Sequence, residues 1–284
     1  MKEVRTAKTA GFCFGVEKAV KIVYDEVEKK GGKVYTYGPI IHNEVVVEDL
    51  EKRGVDIIYE GEDLSRLEKG TIIIRSHGIA RAVQEDLEKA GMKIVDATCP
   101  FVKKIHRIVE RECKKGRKVI IIGNPSHPEV EGIKGWGNED TLAVKDEEDF
   151  VNLALPKETK ISVVAQTTYN FNKFEKIIDK IKFMGYDITC FNTICNATQE
   201  RQIEAEEIAS EVDAMIVIGG KNSSNTSKLV DICNKSCKNT IFIQTLDDLD
   251  TKKLVSVRSV GITAGASTPK HIIEEVQNNV RSQF

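Results

Sequence analysis

Three cysteines divide this chain into thirds of similar length, and each has a side chain that can bind a metal. Cys13, Cys99 and Cys195 each lie where a loop meets a helical pattern. Free backbone N–H groups and the helix dipole at such a junction favour the thiolate form of cysteine. Because the arrangement recurs along the chain, it predicts an internal repeat with one metal-binding thiolate in each third.

Polar loop residues recur at similar distances after each of these cysteines. They form two sets, with His42, His127 and Ser223/Ser224 in the first and His77, Thr167 and Ser267 in the second. Imidazole and hydroxyl groups that meet beside three thiolates would form a metal centre with a substrate pocket. The spacing alone leaves the metal open, because three thiolates suit both zinc with one open position and an iron–sulfur cluster with one iron lacking a protein ligand.

The remaining cysteines and histidines have weaker support. We expect Cys113 and Cys190 to pack as small hydrophobic residues, which is the usual role of a lone cysteine. Cys233 and Cys237 are four residues apart in a helical pattern and form a candidate metal pair, although no third ligand is near them in the sequence. The two histidines outside the polar loops are predicted to be structural: His106 and His271.

Two further features suggest acid catalysis and anion binding. Glu129 lies two residues beyond His127, and its loop neighbours suggest a role in proton transfer. Residues 219–225 read Gly-Gly-Lys-Asn-Ser-Ser-Asn at a predicted strand-to-helix turn. Such a loop suits anion binding at a helix N-terminus, but it lacks the spacing of a Walker A loop.

Apolar strands alternate with amphipathic helices along the whole chain. The predicted strands are Lys33–Tyr37, Thr71–Arg75, Lys118–Ile122, Ile161–Ala165, Ala214–Ile218, Thr240–Gln244 and Ser259–Thr263. The predicted helices are Val16–Lys29, Arg81–Ala90, Phe101–Lys115, Asn170–Met184, Gln199–Ser210 and Ser227–Cys237. This alternation predicts an α/β fold with small lobes and mainly parallel sheets, whose polar loops lie beyond the carboxyl ends of the strands.

Composition excludes several classes of protein. The chain has 284 residues, with 42 Lys and Arg against 44 Asp and Glu, so no basic nucleic-acid surface is expected. It has no apolar run near the roughly 20 residues of a membrane span, and its first residues lack the apolar region of a signal peptide. Its seven cysteines are therefore expected to be reduced, in a cytoplasmic protein.

Several motifs in order along the whole chain resemble the LytB/IspH family of 4-hydroxy-3-methylbut-2-enyl diphosphate reductases. The matching stretches are residues 11–16 (GFCFGV), 38–43 (GPIIHN), 75–78 (RSHG), 96–100 (DATCP), 123–130 (GNPSHPEV), 166–168 (QTT), 192–195 (NTIC), 219–226 (GGKNSSNT) and 263–269 (TAGASTP). The resemblance implies a [4Fe–4S] cluster on Cys13, Cys99 and Cys195, with one iron open to substrate. It also implies three α/β lobes about a pseudo-threefold axis around this cluster. Their boundaries would be residues 14–97, 98–191 and 192–284, with the N-terminal strand, residues 1–13, joining the third lobe.

The same resemblance implies the reaction and its residues. The allylic diphosphate would undergo reductive dehydroxylation to isopentenyl and dimethylallyl diphosphates, the last step of the methylerythritol phosphate (non-mevalonate) route to isoprenoids. Glu129, with Thr167 and His127, would supply the proton. The substrate-binding residues would be His42, His77, His127, Thr167, Thr168, Ser223, Ser224, Asn225 and Ser267. No flavin or nicotinamide motif is present, so we expect an external electron donor such as ferredoxin or flavodoxin. The alternatives are a three-thiolate zinc hydrolase and a non-catalytic iron–sulfur sensor.

Overall fold

The computed structural model describes residues 3–29 and 31–283, which form strands and helices in alternation. The strands are β1 (Glu3–Thr6), β2 (Lys33–Tyr37), β3 (Val55–Ile58), β4 (Gly70–Ile74), β5 (Lys93–Asp96), β6 (Lys118–Ile122), β7 (Leu142–Val144), β8 (Lys160–Ala165), β9 (Asp187–Cys190), β10 (Ala214–Ile218), β11 (Thr240–Ile243) and β12 (Ser259–Ala264). The helices are α1 (Phe14–Glu28), α2 (Glu44–Lys52), α3 (Arg81–Lys89), α4 (Pro100–Lys114), α5 (Pro128–Lys134), α6 (Glu147–Asn152), α7 (Phe171–Phe183), α8 (Asn196–Glu211), α9 (Ser224–Ser236) and α10 (Lys270–Ser282). The predicted α/β class is confirmed.

Three parallel sheets of four strands each share one strand order. The first sheet runs β3-β2-β4-β5, the second β7-β6-β8-β9, and the third β11-β10-β12-β1. All neighbouring strands are parallel. In the third sheet the N-terminal strand β1 therefore occupies the edge position that β5 and β9 occupy in the other two.

The central strands are apolar because helices cover both faces of each sheet. The side chains of Ile72, Ile73 and Ile74 in β4 are buried, as are all four residues from Val119 to Ile122 in β6. Continuous apolar runs of this kind are typical of parallel strands that are buried on both faces. The predicted central strands agree with the observed ones to within one residue at each end.

The sequence analysis did not predict the short strands and helices. Four strands were not predicted, and each has only three or four residues: β3, β5, β7 and β9. In β5 and β9 both end residues are exposed, so neither has a long apolar run. Helices α2, α5 and α6 were also missed, and each has nine residues or fewer. Helix α10, with 13 residues, is the one longer helix in the described part of the chain that is absent from the predicted ranges.

The chain forms two compact units. The first comprises the residues up to Glu17, Ile41–Glu48 and the residues from Asn196 onward, and it contains the third sheet. The second comprises Lys18–Ile40 and Asp49–Cys195, and it contains the first and second sheets. The lobe boundaries expected from the sequence stay a prediction. Among the described residues, no helix is long and apolar enough to cross a membrane.

Candidate active site

Each of the three repeat cysteines lies between the fourth strand of a sheet and the helix that follows. Cys13 lies between β1 and α1, Cys99 between β5 and α4, and Cys195 between β9 and α8. None of the three forms a disulfide, and all have partly exposed side chains. This is the junction with a helix that the sequence predicts, and it suits a thiolate ligand.

One backbone hydrogen bond recurs at all three cysteines and ties each to a polar loop. The N–H groups of Cys13, Cys99 and Cys195 donate to the carbonyls of Ala266, Ser76 and Thr167 at 3.2, 3.0 and 3.0 Å, respectively. Each acceptor is a member of the second set of polar loop residues, or directly precedes one. The loop in question follows the third strand of the same sheet, so each cysteine is held by the loop after β12, β4 or β8.

In the second unit, a buried carboxyl group lies against a threonine. The backbone N–H of Thr167 donates to Glu129 Oε1 at 2.6 Å, and the Thr167 hydroxyl donates to Glu129 Oε2 at 2.7 Å. Helix α5 places Glu129 because His127 caps its start, with His127 Nδ1 accepting from the Glu129 N–H at 3.1 Å. In a neutral imidazole this leaves Nε2 as the nitrogen with the proton.

The environment of Glu129 favours its protonated form. The residue is only 3 % exposed. Burial raises the pKa of the Glu129 carboxyl, and the two hydrogen bonds from Thr167 oppose this effect without cancelling it. A carboxyl group with a raised pKa and a hydroxyl in contact can act as a general acid.

The loops after β4 and β6 bring two histidines together in the second unit. The rings of His77 and His127 meet edge to face, with centroids 5.6 Å apart. Gly78 allows the tight turn after His77, since its φ is +73° and a Cβ there would lie 2.8 Å from His106 Cε1. Thr168 is half-buried in the same loop as Thr167.

In the first unit, the loops after β10 and β12 meet the segment with His42. The Ser267 hydroxyl donates to the His42 carbonyl at 3.0 Å and lies 3.4 Å from Ser223 Oγ. These backbones approach closely, because a Cβ on Gly220 would lie 2.5 Å from the His42 carbonyl oxygen. The predicted polar residues of this unit are therefore neighbours.

The first residues of helix α9 lie beside Ser267 and the segment with His42. Ser223 caps the helix by accepting from the Thr226 N–H at 3.3 Å, and Ser224 is the first helical residue. Asn225 Oδ1 accepts from the Ala266 N–H at 2.9 Å. Its Nδ2 is buried and has no partner among residues 3–29 and 31–283. A buried donor without a partner at a helix N-terminus suits an anionic ligand.

One buried charge in the first unit was missed by the sequence analysis. Arg201 of α8 is buried, and its Nη1 donates to the Ala264 carbonyl at 2.6 Å, at the end of β12. It therefore supports the strand end that leads to Ser267. An arginine in a polar helix usually indicates a solvated surface, so no sequence signal marks it.

The other cysteines and histidines have the following environments. Cys113 packs against the apolar cluster between α4 and β6, as predicted, but Cys190 is exposed at the end of an edge strand, so its predicted packing role is wrong. Cys233 and Cys237 are buried among apolar side chains and contact backbone carbonyls, and burial raises the pKa of Cys233 to about 12. Within the described part of the chain, no group of three metal-binding side chains includes this candidate pair.

The two histidines outside the polar loops also differ in burial. His106 is buried and stacks on Trp136, which confirms its structural role. His271 is exposed near the start of α10.

The fold and these two groups of residues define a class of α/β proteins with three parallel sheets and a cysteine after the fourth strand of each. The chain matches the LytB protein family over residues 4–281 and belongs to that family.

Similar proteins and solved structures are named as reductases. The 4-hydroxy-3-methylbut-2-enyl diphosphate reductase of Caldanaerobacter subterraneus subsp. tengcongensis is 48% identical over 282 residues, covering 99% of this chain and 97% of the relative. The enzyme of the same name from Clostridioides difficile is 44% identical over 273 residues, covering 96% and 97%. A solved structure of the Plasmodium falciparum reductase superposes with a TM-score of 0.91 at 31% identity, covering 98% of this chain and 87% of that one. A second solved structure, described as the terminal enzyme of the non-mevalonate pathway, has a TM-score of 0.71 at 40% identity, covering 99% and 100%.

Proposed function

We propose that this protein reduces 4-hydroxy-3-methylbut-2-enyl diphosphate to isopentenyl and dimethylallyl diphosphates, the last step of the methylerythritol phosphate pathway. The names of its full-length relatives support the reaction. The observation on which the chemistry depends is the buried Glu129 carboxyl, hydrogen-bonded twice by Thr167. The alternatives of a zinc hydrolase and a non-catalytic sensor are not favoured, because the relatives are reductases.

The cofactor we propose is a [4Fe–4S] cluster on Cys13, Cys99 and Cys195. The donor set fits, because all three thiols are outside any disulfide, partly exposed and directly before the first residue of a helix. Three thiolates leave one iron of such a cluster without a protein ligand. When bound, the cluster would supply electrons and Lewis acidity for loss of the substrate hydroxyl.

The proton would come from Glu129 through Thr167. The Thr167 hydroxyl donates to Glu129 Oε2 at 2.7 Å, and for proton transfer this hydrogen bond would reverse. Protonated Glu129 would then donate from Oε2 to Thr167 Oγ while the Thr167 hydroxyl gives its own proton to the substrate oxygen. The hydroxyl then leaves as water, which is a better leaving group than hydroxide. His127 would assist as a donor from Nε2, because its Nδ1 is engaged by the backbone of α5.

The polar residues of both sets would bind the diphosphate and orient the carbon chain. In the first unit the donors are the start of α9 and the side chains of His42, Ser223, Ser224, Asn225 and Ser267. In the second unit they are His77, His127, Thr167 and Thr168. The unpartnered Nδ2 of Asn225 supports this role, since a buried donor without a partner is costly unless a ligand satisfies it.

The electrons would come from a separate carrier such as ferredoxin or flavodoxin, and the protein would act in the cytoplasm. The lack of a flavin or nicotinamide motif supports the first point. The second point is supported by the seven cysteines, none of which forms a disulfide with another.

An anaerobic assay tests the function. Purified protein loaded with iron and sulfide should be brown and should convert the allylic diphosphate to both products with reduced methyl viologen as the donor. A colourless zinc protein, or a brown protein without turnover, would exclude the proposal.

A further inference from the structure

The helices that follow the three repeat cysteines expose different surfaces. Helices α1 and α4 each have an exposed phenylalanine in the first turn: Phe14 is 64% exposed and Phe101 is 45% exposed. Helix α8, which follows Cys195, exposes Asn196, Glu200 and Ile203 instead. Large exposed aromatic side chains mark interaction surfaces when polar or charged residues surround them.

On α4 the exposed aromatic side chain continues into a basic stripe. Phe101, Lys104, Arg107 and Arg111 are exposed and follow one another at helical spacing. Arg111 bonds to Glu112, but Lys104 and Arg107 have no carboxylate partner within 4 Å in the part of the chain that the structure describes. The stripe is a local feature, because the whole chain has a net charge of −2.

Helix α1 repeats the pattern. Lys18 and Lys21 lie four and seven residues after Phe14, and both are exposed. Neither has a carboxylate partner within 4 Å among the described residues. The corresponding exposed positions of α8 include Glu200 and Glu206, so the basic stripe belongs to two of the three helices.

A cavity lies beside the α4 stripe in the second unit. Its volume is about 240 Å³, and Arg107, Gln84, Trp136 and His106 line it. Lys103 and Asp96 also line it but form an ion pair with each other, so Arg107 is the lining cation that has no carboxylate partner among the described residues. The Trp136 ring is fixed, since it stacks on His106 at 5.0 Å and its N–H donates to the Ile79 carbonyl at 2.9 Å. A preformed recess with a cation on its lining is suited to a carboxylate side chain from a partner.

We propose that this surface, comprising Phe101, Lys104, Arg107 and the adjoining cavity and called here the α4 face, docks an acidic one-electron carrier protein. Cys99 caps α4 and lies two residues before Phe101, so a carrier on this face contacts the helix that begins at a proposed cluster ligand. The inference rests on the proposed function. The substrate alcohol takes up two electrons and two protons and loses water, while two carrier molecules are each oxidised by one electron.

The charges on the α4 face should accelerate encounter with an acidic carrier, and Phe101 should supply apolar contact area. A small artificial donor has no need of a docking surface. A variant with a docking defect should therefore lose activity with the carrier protein but keep activity with the artificial donor.

The test compares donors across matched variants. Lys104→Glu/Arg107→Glu and Phe101→Ser are assayed with a reduced acidic ferredoxin and, separately, with reduced methyl viologen. We expect the KM for ferredoxin to rise at least about tenfold at low ionic strength, with less dependence on salt, while viologen-driven kcat stays at the wild-type value. Lys18→Glu/Lys21→Glu measures whether the face of α1 contributes.

The matched control is Lys180→Glu/Phe183→Ser on α7. Phe183 is 87% exposed and has lysines nearby, but no repeat cysteine precedes its helix. This variant should have the wild-type KM for ferredoxin and the wild-type kcat with viologen.

The possible results distinguish failure of the docking proposal from failure of the proposed function. An unchanged KM for ferredoxin in Lys104→Glu/Arg107→Glu, or an equal rise in the α7 control, would overturn the docking proposal. Absence of viologen turnover in the wild type would instead overturn the proposed function. In that case, or if a variant also loses viologen turnover, calorimetry of ferredoxin binding tests the surface directly. Equal affinity of wild type and variant there, or no binding by the wild type, refutes the α4 face.

Discussion

At the scale of single residues, the central feature is the balance of forces on Glu129. Burial favours the neutral carboxyl group, whereas two hydrogen bonds from Thr167 favour the carboxylate. Burial has the larger effect, so the pKa of Glu129 is raised. In the proposed mechanism, the same threonine that stabilises the carboxylate also gives its proton a short route out of the buried site.

Replacing Glu129 by glutamine tests this route. Glu129→Gln keeps the shape and most hydrogen bonds but removes the acid, so kcat per intact cluster should fall by about 10²–10⁴-fold. Iron content and diphosphate binding should stay at wild-type values. Glu131→Gln, an exposed position on the same helix, is the control and should keep full activity. A near-normal kcat in Glu129→Gln would exclude the acid role.

The direction of the pKa shift also predicts a pH dependence. Because the raised pKa keeps Glu129 protonated at higher pH than an exposed glutamate, kcat should be highest below that pKa and fall as the pH rises through it. The profile is measured with reduced viologen at saturating substrate. The residual activity of Glu129→Gln should lack this alkaline decrease, and a decrease of the same shape in both proteins would assign it to another group.

The cysteines provide a third prediction at this scale. Cys13→Ser, Cys99→Ser and Cys195→Ser should each lose iron and sulfide or hold a damaged cluster, because each removes one proposed thiolate ligand. Cys113→Ser and Cys190→Ser are the controls, one inside a helix and one exposed. Iron and sulfide analysis after anaerobic reconstitution measures the effect. Full iron content in any of the first three variants would contradict the assignment.

At the scale of elements, helix α9 shows how a loop and a helix start combine in the proposed anion site. Its first N–H groups have no partner within the helix, and the helix dipole adds partial positive charge there. Ser223 Oγ accepts the capping hydrogen bond, so its hydroxyl proton can still be donated to a ligand, and the side chains of Ser224 and Asn225 lie beside it at the helix start.

Removing the Ser224 hydroxyl should therefore weaken anion binding without loss of fold. Ser224→Ala should lose roughly 1.5–3 kcal/mol of diphosphate binding free energy, the usual value for a hydrogen bond to a charged group. Anaerobic calorimetry with inorganic diphosphate measures it. Ser227→Ala, one turn further along α9, is the control, since its hydroxyl bonds to the Ser223 carbonyl. Equal affinity in wild type and Ser224→Ala would move the anion site elsewhere.

At the scale of the whole molecule, one strand order appears in all three sheets. The third sheet is completed by β1, which comes from the opposite end of the chain. The chain thus supplies a fourth strand, and after it a cysteine, to every sheet. Val4 in β1 packs against the apolar cluster of the third sheet, which joins this strand to its core.

A charge at Val4 tests the importance of this strand. Val4→Asp places a carboxylate against apolar side chains and should lower the free energy of unfolding by about 1–3 kcal/mol. Because β1 leads to Cys13, the iron content should fall as well. Arg5→Ser, on the exposed side of the same strand, should have a much smaller effect in thermal unfolding and iron analysis. Equal unfolding temperatures for the two variants would show that β1 is dispensable.

The sequence by itself determined the central strands, most of the longer helices and the identity of the candidate residues. Apolar runs such as residues 119–122 are local signals, and so are the glycine and proline motifs around Cys13 and Cys99. Short edge strands such as β7 were not predictable, because three residues hold too little pattern.

Only the tertiary structure decided which residues are neighbours. Counting along the chain related each cysteine to the polar loops after it, whereas Cys99 and Cys195 are hydrogen-bonded to loops that precede them. The physical reason is the order of strands. The third and fourth strands of a sheet pair with each other, so the loop after one lies beside the cysteine after the other. The same pairing of distant segments buries Glu129 against Thr167 and raises its pKa, which no local pattern could indicate.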